Sequence, residues 1–475
     1  MLHILPLGMF KSPLRKNLAY KGVLTISNYI IGFVTFPYIS RVFGVETLGL
    51  INFVDNTINY FLLFATMGIG MLGVREIAAV KNNPSERDKV FSNILGLNLC
   101  FTVATLCIYL LVVALVPKLS QYAELFYIGA AKILFSAFLV EWFFTGIEDF
   151  KYITLRSVAV KTAYVIAVFV FVRQKEDYVL YFLLTIGIVV INSIINLLHV
   201  RQHINIICSE LLKTRYLKSN ISLGIYSIMT SMYLTFNVMY LGLVSDNTQV
   251  GYYTTAFKLY TVVLGLFNAF CNIMLPRMSA LLAEGDYNRY HILLQKSFSL
   301  IARFSIPMIV GGIILAPQVI YLLSGPGYEG AILPMRIIMP AILLVCIAFV
   351  VVLQILIPMK RDKILLTASI CGATTSIIIN IFIVPHLQSI GSAIVLICAE
   401  LAVTSTHVIY IIRKRITTIP FVEFGREFLY SIPIMATCIA ISRTVENVYM
   451  CLFLATIISA AIWAITNKLR YNKFY

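Results

Sequence analysis

Apolar residues fall in blocks of roughly 20 along the whole chain, and each block is long enough to cross a hydrocarbon core as a helix. Fourteen such helices are predicted, at about 20–40, 48–72, 91–116, 123–146, 157–172, 178–199, 219–243, 250–274, 297–323, 333–357, 364–384, 388–412, 424–441 and 446–466. The polar breaks are short. The longest, at 73–90, 200–218 and 275–296, mix charges with Leu, Ile and Ala, a pattern suited to brief interfacial helices. Residues 324–332, SGPGYEGAI, read as a Gly/Pro turn, and Pro37, Pro307, Pro317, Pro340 and Pro433 are expected to shape or bend the helices that hold them.

Composition agrees with an all-α polytopic membrane protein that has almost no extramembrane domain. The 475 residues are 60% hydrophobic and only 12% charged, with 27 Tyr and 31 Phe and a mean hydropathy of +0.90. The first residues, MLHILPLGMFKSPLRKN, place an apolar run ahead of their charges, the reverse of a secretory signal, so no cleaved segment is expected. None of the nine cysteines makes a CxxC pair, and the sequence has no Walker A, HExxH or GxSxG motif. Enzymatic chemistry, metal sites and cofactors are therefore not expected.

The net charge of +16 could point to nucleic acid, but its distribution gives a better account. Sorted onto the fourteen helices, 27 of the 37 basic residues fall on one side and five (Arg41, Lys118, Arg173, Lys175, Arg443) on the other. That asymmetry is the positive-inside pattern, which places both termini in the cytoplasm and the excess charge against anionic lipid rather than nucleic acid.

Five basic residues fit neither face: Lys132, Lys161, Lys258, Arg303 and Arg336, joined by the acidic Asp55, Glu141 and Glu400. A charge at mid-bilayer depth costs about 2.5–3.5 kcal/mol on insertion scales, so such groups face a partner or a watery cavity. Snorkelling is the competing account for Lys161, Arg303 and Arg336, which lie near helix ends. Lys132 and Glu141 are nine residues apart, about 13 Å along an ideal helix and on opposite faces, so they are not expected to pair. Asn52, Asn56, Asn59 and Tyr60 recur at three- and four-residue spacing and form one polar stripe, either interhelical glue or a surface for sugar rings. Asn237, Tyr240, Tyr252, Tyr253 and Tyr260 enrich a second polar, aromatic pair of helices. A cationic cavity with one or two carboxylates suits phosphate or uronate groups, while a titrating Asp55 or Glu400 suits coupling to H⁺ or Na⁺. An internal repeat adds to this picture, because Gly49 to Arg75 and Gly251 to Arg277 both span 26 residues at an offset of 202.

Four stretches carry a resemblance: PYISRVFGVETLGLINF at 37–53, GVREIA at 73–78, EWFFTGIEDFKYITLRS at 141–157, and GLVSDNTQVGYYTTAFKLY at 242–260 with LPRMSALLAEGD at 275–286. In this order and spacing they resemble the Wzx-type polysaccharide flippases, which move O-antigen or capsule repeat units. That family belongs to the superfamily of multidrug, oligosaccharidyl-lipid and polysaccharide exporters. The resemblance implies two pseudo-symmetric six-helix bundles around a central cavity. Two further C-terminal helices, like those of lipid II flippases, bring the count to 14 spans. The expected organisation is a tail at 1–17, an N-terminal bundle at 18–200, a linker at 201–218, a C-terminal bundle at 219–412, added helices at 424–466 and a tail at 467–475.

The implied activity is transfer of an undecaprenyl-diphosphate-linked oligosaccharide from the cytoplasmic to the outer leaflet of a bacterial inner membrane, beside a polysaccharide polymerase. Cationic residues at matching places are Arg41, Lys132, Lys258 and Arg303, with Asn52, Asp55, Asn56, Asn59 and Glu141 as further cavity candidates. Alternative readings are a cation-coupled multidrug exporter and a flippase for another prenyl-linked cell-wall precursor.

Overall fold

The computed structural model describes residues 12–211 and 213–471, and within them every regular element is helical. The expected tails at 1–17 and 467–475 therefore lie partly outside the described residues. The long elements are α1 (Ser12–Thr66), α2 (Ile69–Ala79), α3 (Pro84–Leu115), α4 (Ala123–Ser136), α5 (Glu141–Gly146), α6 (Phe150–Phe171), α7 (Tyr178–Val200), α8 (Leu217–Val244) and α9 (Asn247–Glu284). They continue with α10 (Tyr287–Ile314), α11 (Ala316–Ser324), α12 (Ile332–Ile338), α13 (Ala341–Val350), α14 (Asp362–Arg413), α15 (Phe421–Tyr430), α16 (Ile432–Thr444) and α17 (Val448–Tyr471). Among the described residues, eleven helical stretches are long and apolar enough to cross a membrane.

Local chemistry sets the ends. Asn83, Asp149, Asp246 and Asp286 each accept a hydrogen bond from the backbone N–H three residues on, capping α3, α6, α9 and α10. Gly285, at φ 75°, closes α9 in the left-handed conformation that a helix C-terminus often takes. Two of the longest helices are interrupted, α1 at Gly44 (φ 71°, ψ 173°) and α14 at Gln388 (φ 48°, ψ −121°). The single segments expected at 297–323, 333–357 and 424–441 are each divided. Pro317 and Pro433 sit in the first turns of α11 and α16, and Pro340 separates α12 from α13. Proline lacks the N–H that a helix interior needs but is accommodated at a helix start.

The fourth predicted helix is also two elements, because α4 ends at Ser136 and α5 begins after Val140, at φ 37° and ψ 29°. An ideal helix through 123–146 therefore does not describe the directions of Lys132 and Glu141.

The chain divides into two compact units. One comprises Val54–Ser231 with the chain up to Thr35, and the other Phe36–Phe53 with Met232–Tyr475. In the first, Leu72, Phe91, Ile94, Trp142, Phe143 and Phe144 form an aromatic-rich buried cluster, and Gly73 lies so close to the Trp142 ring that a Cβ would collide with it. In the second, Leu315, Ile434, Cys438, Cys451 and Ala455 pack the last two helices onto the junction of α10 and α11. Large apolar side chains remain exposed on both units, among them Leu115 at 70%, Phe382 at 69% and Val422 at 70%. In water such surface would be a liability, whereas lipid solvates it.

Within the second unit the repeat is visible as contact. Asn52 Nδ2 donates to Thr254 Oγ1 at 3.0 Å, and these two residues are 202 apart. A Cβ on Gly49 would strike the backbone of Asn247 and Gly251, and one on Gly251 would strike that of Val45. Residues 45, 49 and 52 thus meet 247, 251 and 254 reciprocally, the pattern a two-fold axis imposes.

Candidate functional site

The first unit holds a closed polar triad on otherwise apolar helices. Lys132 Nζ lies 2.5 Å from Asp55 Oδ1 and donates to Asn59 Oδ1 at 2.9 Å, while Asn59 Nδ2 donates to Asp55 Oδ2 at 3.0 Å. Asp55 and Asn59 are one helical turn apart on α1, so one ammonium can bridge both. The approach of α4 is permitted by Gly129, where a Cβ would overlap the Ile58 side chain. The Lys132 side chain is only 16% exposed and that of Asp55 34% exposed, which leaves the carboxylate the more accessible member. Asn52, Asp55, Asn56, Asn59 and Tyr60 are all half-buried, whereas Ile51, Phe53, Val54, Thr57 and Ile58 are buried. The polar stripe read from the sequence is thus a half-open face of α1.

In the second unit, Lys258 is half-buried on α9, with its Nζ 5.7 Å from the centre of the Phe36 ring. Among the described residues no carboxylate lies in ion-pair range of it. Thr254, the partner of Asn52, is one turn before it on α9. Glu400 is buried at 4% exposure and accepts from the Tyr260 hydroxyl at 3.4 Å. Nearby on α9, the Tyr253 hydroxyl accepts from Asn237 Nδ2 at 2.9 Å, and the same amide donates to the Ser392 carbonyl at 2.9 Å.

Other candidates have partners of their own. Arg41 is an exposed cap on α11: its guanidinium donates to the carbonyls of Leu322 at 2.6 Å and Tyr321 at 3.4 Å, and to Pro37 at 2.7 Å. Arg303 lies 4.0 Å from Glu427, and its carbonyl accepts the Trp463 indole N–H at 3.1 Å. Glu141 pairs with Arg156 at 2.5 Å, not with Lys132. Arg156, one residue outside the helix predicted at 157–172, lies inside α6 with its side chain 4% exposed. The signal that could have found it is the Asp149 cap, which starts the helix seven residues before Arg156. Among the described residues no group of three or more His, Cys, Asp or Glu gathers at metal-binding range.

The family model described as "Polysaccharide biosynthesis protein" matches residues 14–282, more than half of the chain. This chain belongs to that family. Similar full-length proteins are the "Putative O-antigen transporter" of Escherichia coli (strain K12), 26% identical over 84% of this chain and 97% of its own, and that of Shigella dysenteriae, 26% identical over 82% and 98%. A solved structure of lipid II flippase MurJ in an inward closed conformation has the same fold, with a TM-score of 0.79, 14% identity and coverage of 96% of this chain and 99% of the other. An inward-facing multidrug resistance transporter of the MATE family is more distant in shape, at a TM-score of 0.57 and 11% identity over 88% and 96%. The resemblance to polysaccharide flippases holds at the level of this family, and the relatives compared are named as transporters and flippases rather than enzymes.

Proposed function

We propose that this member of the polysaccharide biosynthesis family flips an undecaprenyl-diphosphate-linked oligosaccharide repeat unit from the cytoplasmic to the outer leaflet of a bacterial inner membrane. The observation that carries the reading is the pair of half-buried lysines on apolar helices, Lys132 held by Asp55 and Asn59, and Lys258 over Phe36. A glycan head cannot enter hydrocarbon, because each hydroxyl buried without a partner costs several kcal/mol. Ammonium groups fixed at membrane depth offer the diphosphate and acidic sugars a charge partner, and the amides of Asn52, Asn56 and Asn59 offer hydrogen bonds to hydroxyls. The prenyl tail stays in lipid. Full-length similarity to proteins named as O-antigen transporters supports the glycan class.

Fourteen spans with both termini cytoplasmic follow from the same reading, arranged as two six-helix bundles at 18–200 and 219–412 with added helices at 424–466. Dividing α1 at Gly44 and α14 at Gln388, and counting α8 as a span, raises the eleven long stretches to fourteen. Asp55 and Glu400 are the carboxylates available to couple transport to a cation, and a polysaccharide polymerase is the expected functional companion.

The test is a flipping assay in proteoliposomes that contain the lipid-linked oligosaccharide, scored by glycan reaching the opposite leaflet. Transfer should depend on the protein and fall at least tenfold in folded Lys132→Ala and Lys258→Ala variants, the loss of about 1.4 kcal/mol of interaction apiece. Absence of transfer with any native glycan donor, alongside proton- or sodium-driven efflux of a small cationic dye, would replace this reading with the multidrug one.

A further inference from the structure

Arg156 is the most deeply buried charge of the first unit that the reading above leaves unused. A guanidinium carries five N–H donors. Here Nη2 donates to Glu141 Oε1 at 2.5 Å, while Nε and Nη1 are buried with no protein acceptor among the described residues. Below it, Tyr152 supports the cation with its ring face, 5.8 Å from the guanidinium carbon. Tyr152 is itself fixed by stacking on His199 at 3.9 Å between ring centres and by donating its hydroxyl to Asn196 Oδ1 at 2.8 Å.

The two ends of the ion pair are unequal. The Arg156 side chain is 4% exposed and that of Glu141 51% exposed, so the cation is locked and the carboxylate can leave. The direction of Glu141 is set by the residue before it. Val140, at φ 37° and itself buried, is a β-branched side chain in a left-handed conformation that such residues rarely adopt. Strain of this kind persists only where the surroundings over-determine it, and it collects at binding and switch positions. A structural ion pair alone would not leave two of three guanidinium nitrogens without acceptors, since an unsatisfied buried donor costs about 1–3 kcal/mol. An anion with several oxygens would satisfy them through the parallel bonds a guanidinium makes to phosphate.

We propose that Arg156 is an anion-receiving subsite for a diphosphate group, and that Glu141 is the displaceable carboxylate that occupies the cation until the anion arrives. The inference rests on the flippase reading for the identity of the diphosphate. It assigns the α5/α6 corner to substrate loading, in addition to the Lys132–Asp55–Asn59 triad. Releasing Glu141 converts a neutral pair into a cationic one only when the ligand is present, so the site does not hold a bare buried charge between turnovers.

The reporter is built in, because Trp142 follows Glu141 directly and the chain has only two tryptophans. With Trp463→Phe as background, the full chain in phosphatidylcholine nanodiscs is titrated with inorganic diphosphate and Trp142 emission is read. Glu141→Gln should tighten binding by about tenfold, since it removes the competing charge. Arg156→Lys, which keeps the charge but loses the planar fork, should weaken it by about tenfold, and Arg156→Gln should abolish it. Unchanged or weaker binding in Glu141→Gln, or parental binding in folded Arg156→Lys, would overturn the assignment.

Discs doped with undecaprenyl diphosphate should give the emission change without added anion, and discs doped with phosphatidylglycerol should not; a response to both would reduce the subsite to a general lipid-phosphate contact and overturn the diphosphate claim. The flipping assay run on the same variants separates the two readings. Parental transfer in Glu141→Gln and Arg156→Lys sinks the subsite and leaves the flippase. Arg156-dependent diphosphate binding without any flipping keeps the subsite and sinks the flippase.

Discussion

Lys132 and Asp55 illustrate what a single residue reveals in the sequence and what it withholds. Both stand out by charge in apolar segments, and that anomaly alone marks them. Their pairing could not be read, because it joins residues 77 apart and depends on how closely α4 meets α1 at Gly129. Arg156 falls just outside the helix predicted at 157–172 for a related reason, because its burial is a property of packing. The triad yields a prediction that separates fold from function. Lys132→Met strands the Asp55 carboxylate and should cost about 1–3 kcal/mol, less than a fully buried pair because Asp55 is partly exposed. Adding Asp55→Asn removes the stranded charge and should restore most of the thermal midpoint, measured by fluorescence-detected size exclusion after heating. Transport should remain lost in both. Recovery of transport in the double variant would make the triad a packing feature and nothing more.

At the scale of elements, the periodic apolar blocks made most helices legible, and the Gly44 turn and the 324–332 turn could be read from their glycines. The break at Gln388 falls at the boundary expected between 364–384 and 388–412, although glutamine ordinarily avoids a φ of 48°. The split between α4 and α5, by contrast, was hidden behind Val140. The repeat was legible only as two equal spacings, yet it places Gly49 and Gly251 at the crossing of α1 with α9. There each lacks room for even a methyl group, and the obstacle is backbone, which cannot rotate aside. Gly49→Val and Gly251→Val should each therefore cost about 3 kcal/mol or more and, from their reciprocal contacts, by similar amounts. Gly187, in α7 with open space around its Cα, is the control: Gly187→Ala should be neutral or stabilise by up to about 1 kcal/mol. Detergent-solubilised thermal midpoints measure all three, and a tolerated Gly49→Val would mean that the crossing is not a close contact.

For the whole molecule, the charge asymmetry is a global statement that any odd error in the number of crossings would reverse from that point onward, which makes it testable loop by loop. The critical stretch is Phe421–Thr444, 24 residues interrupted at Ser431. At 1.5 Å per residue it spans about 36 Å, enough for a hydrocarbon core of about 30 Å. Leu429 at 61% and Phe428 at 55% exposure give it a surface suited to lipid. In a variant lacking all nine cysteines, single cysteines at Ser120, Gln174, Pro326 and Glu446 should react with a membrane-impermeant maleimide on intact cells. Those at Asn82, Gln202 and Thr417 should react only after permeabilisation. Thr417 and Glu446 bracket the disputed crossing, so opposite reactivity means that Phe421–Thr444 traverses the bilayer and the count reaches fourteen. Shared protection would place it on the cytoplasmic surface, leave twelve crossings before it, and move Arg443 to the side that already holds most of the positive charge.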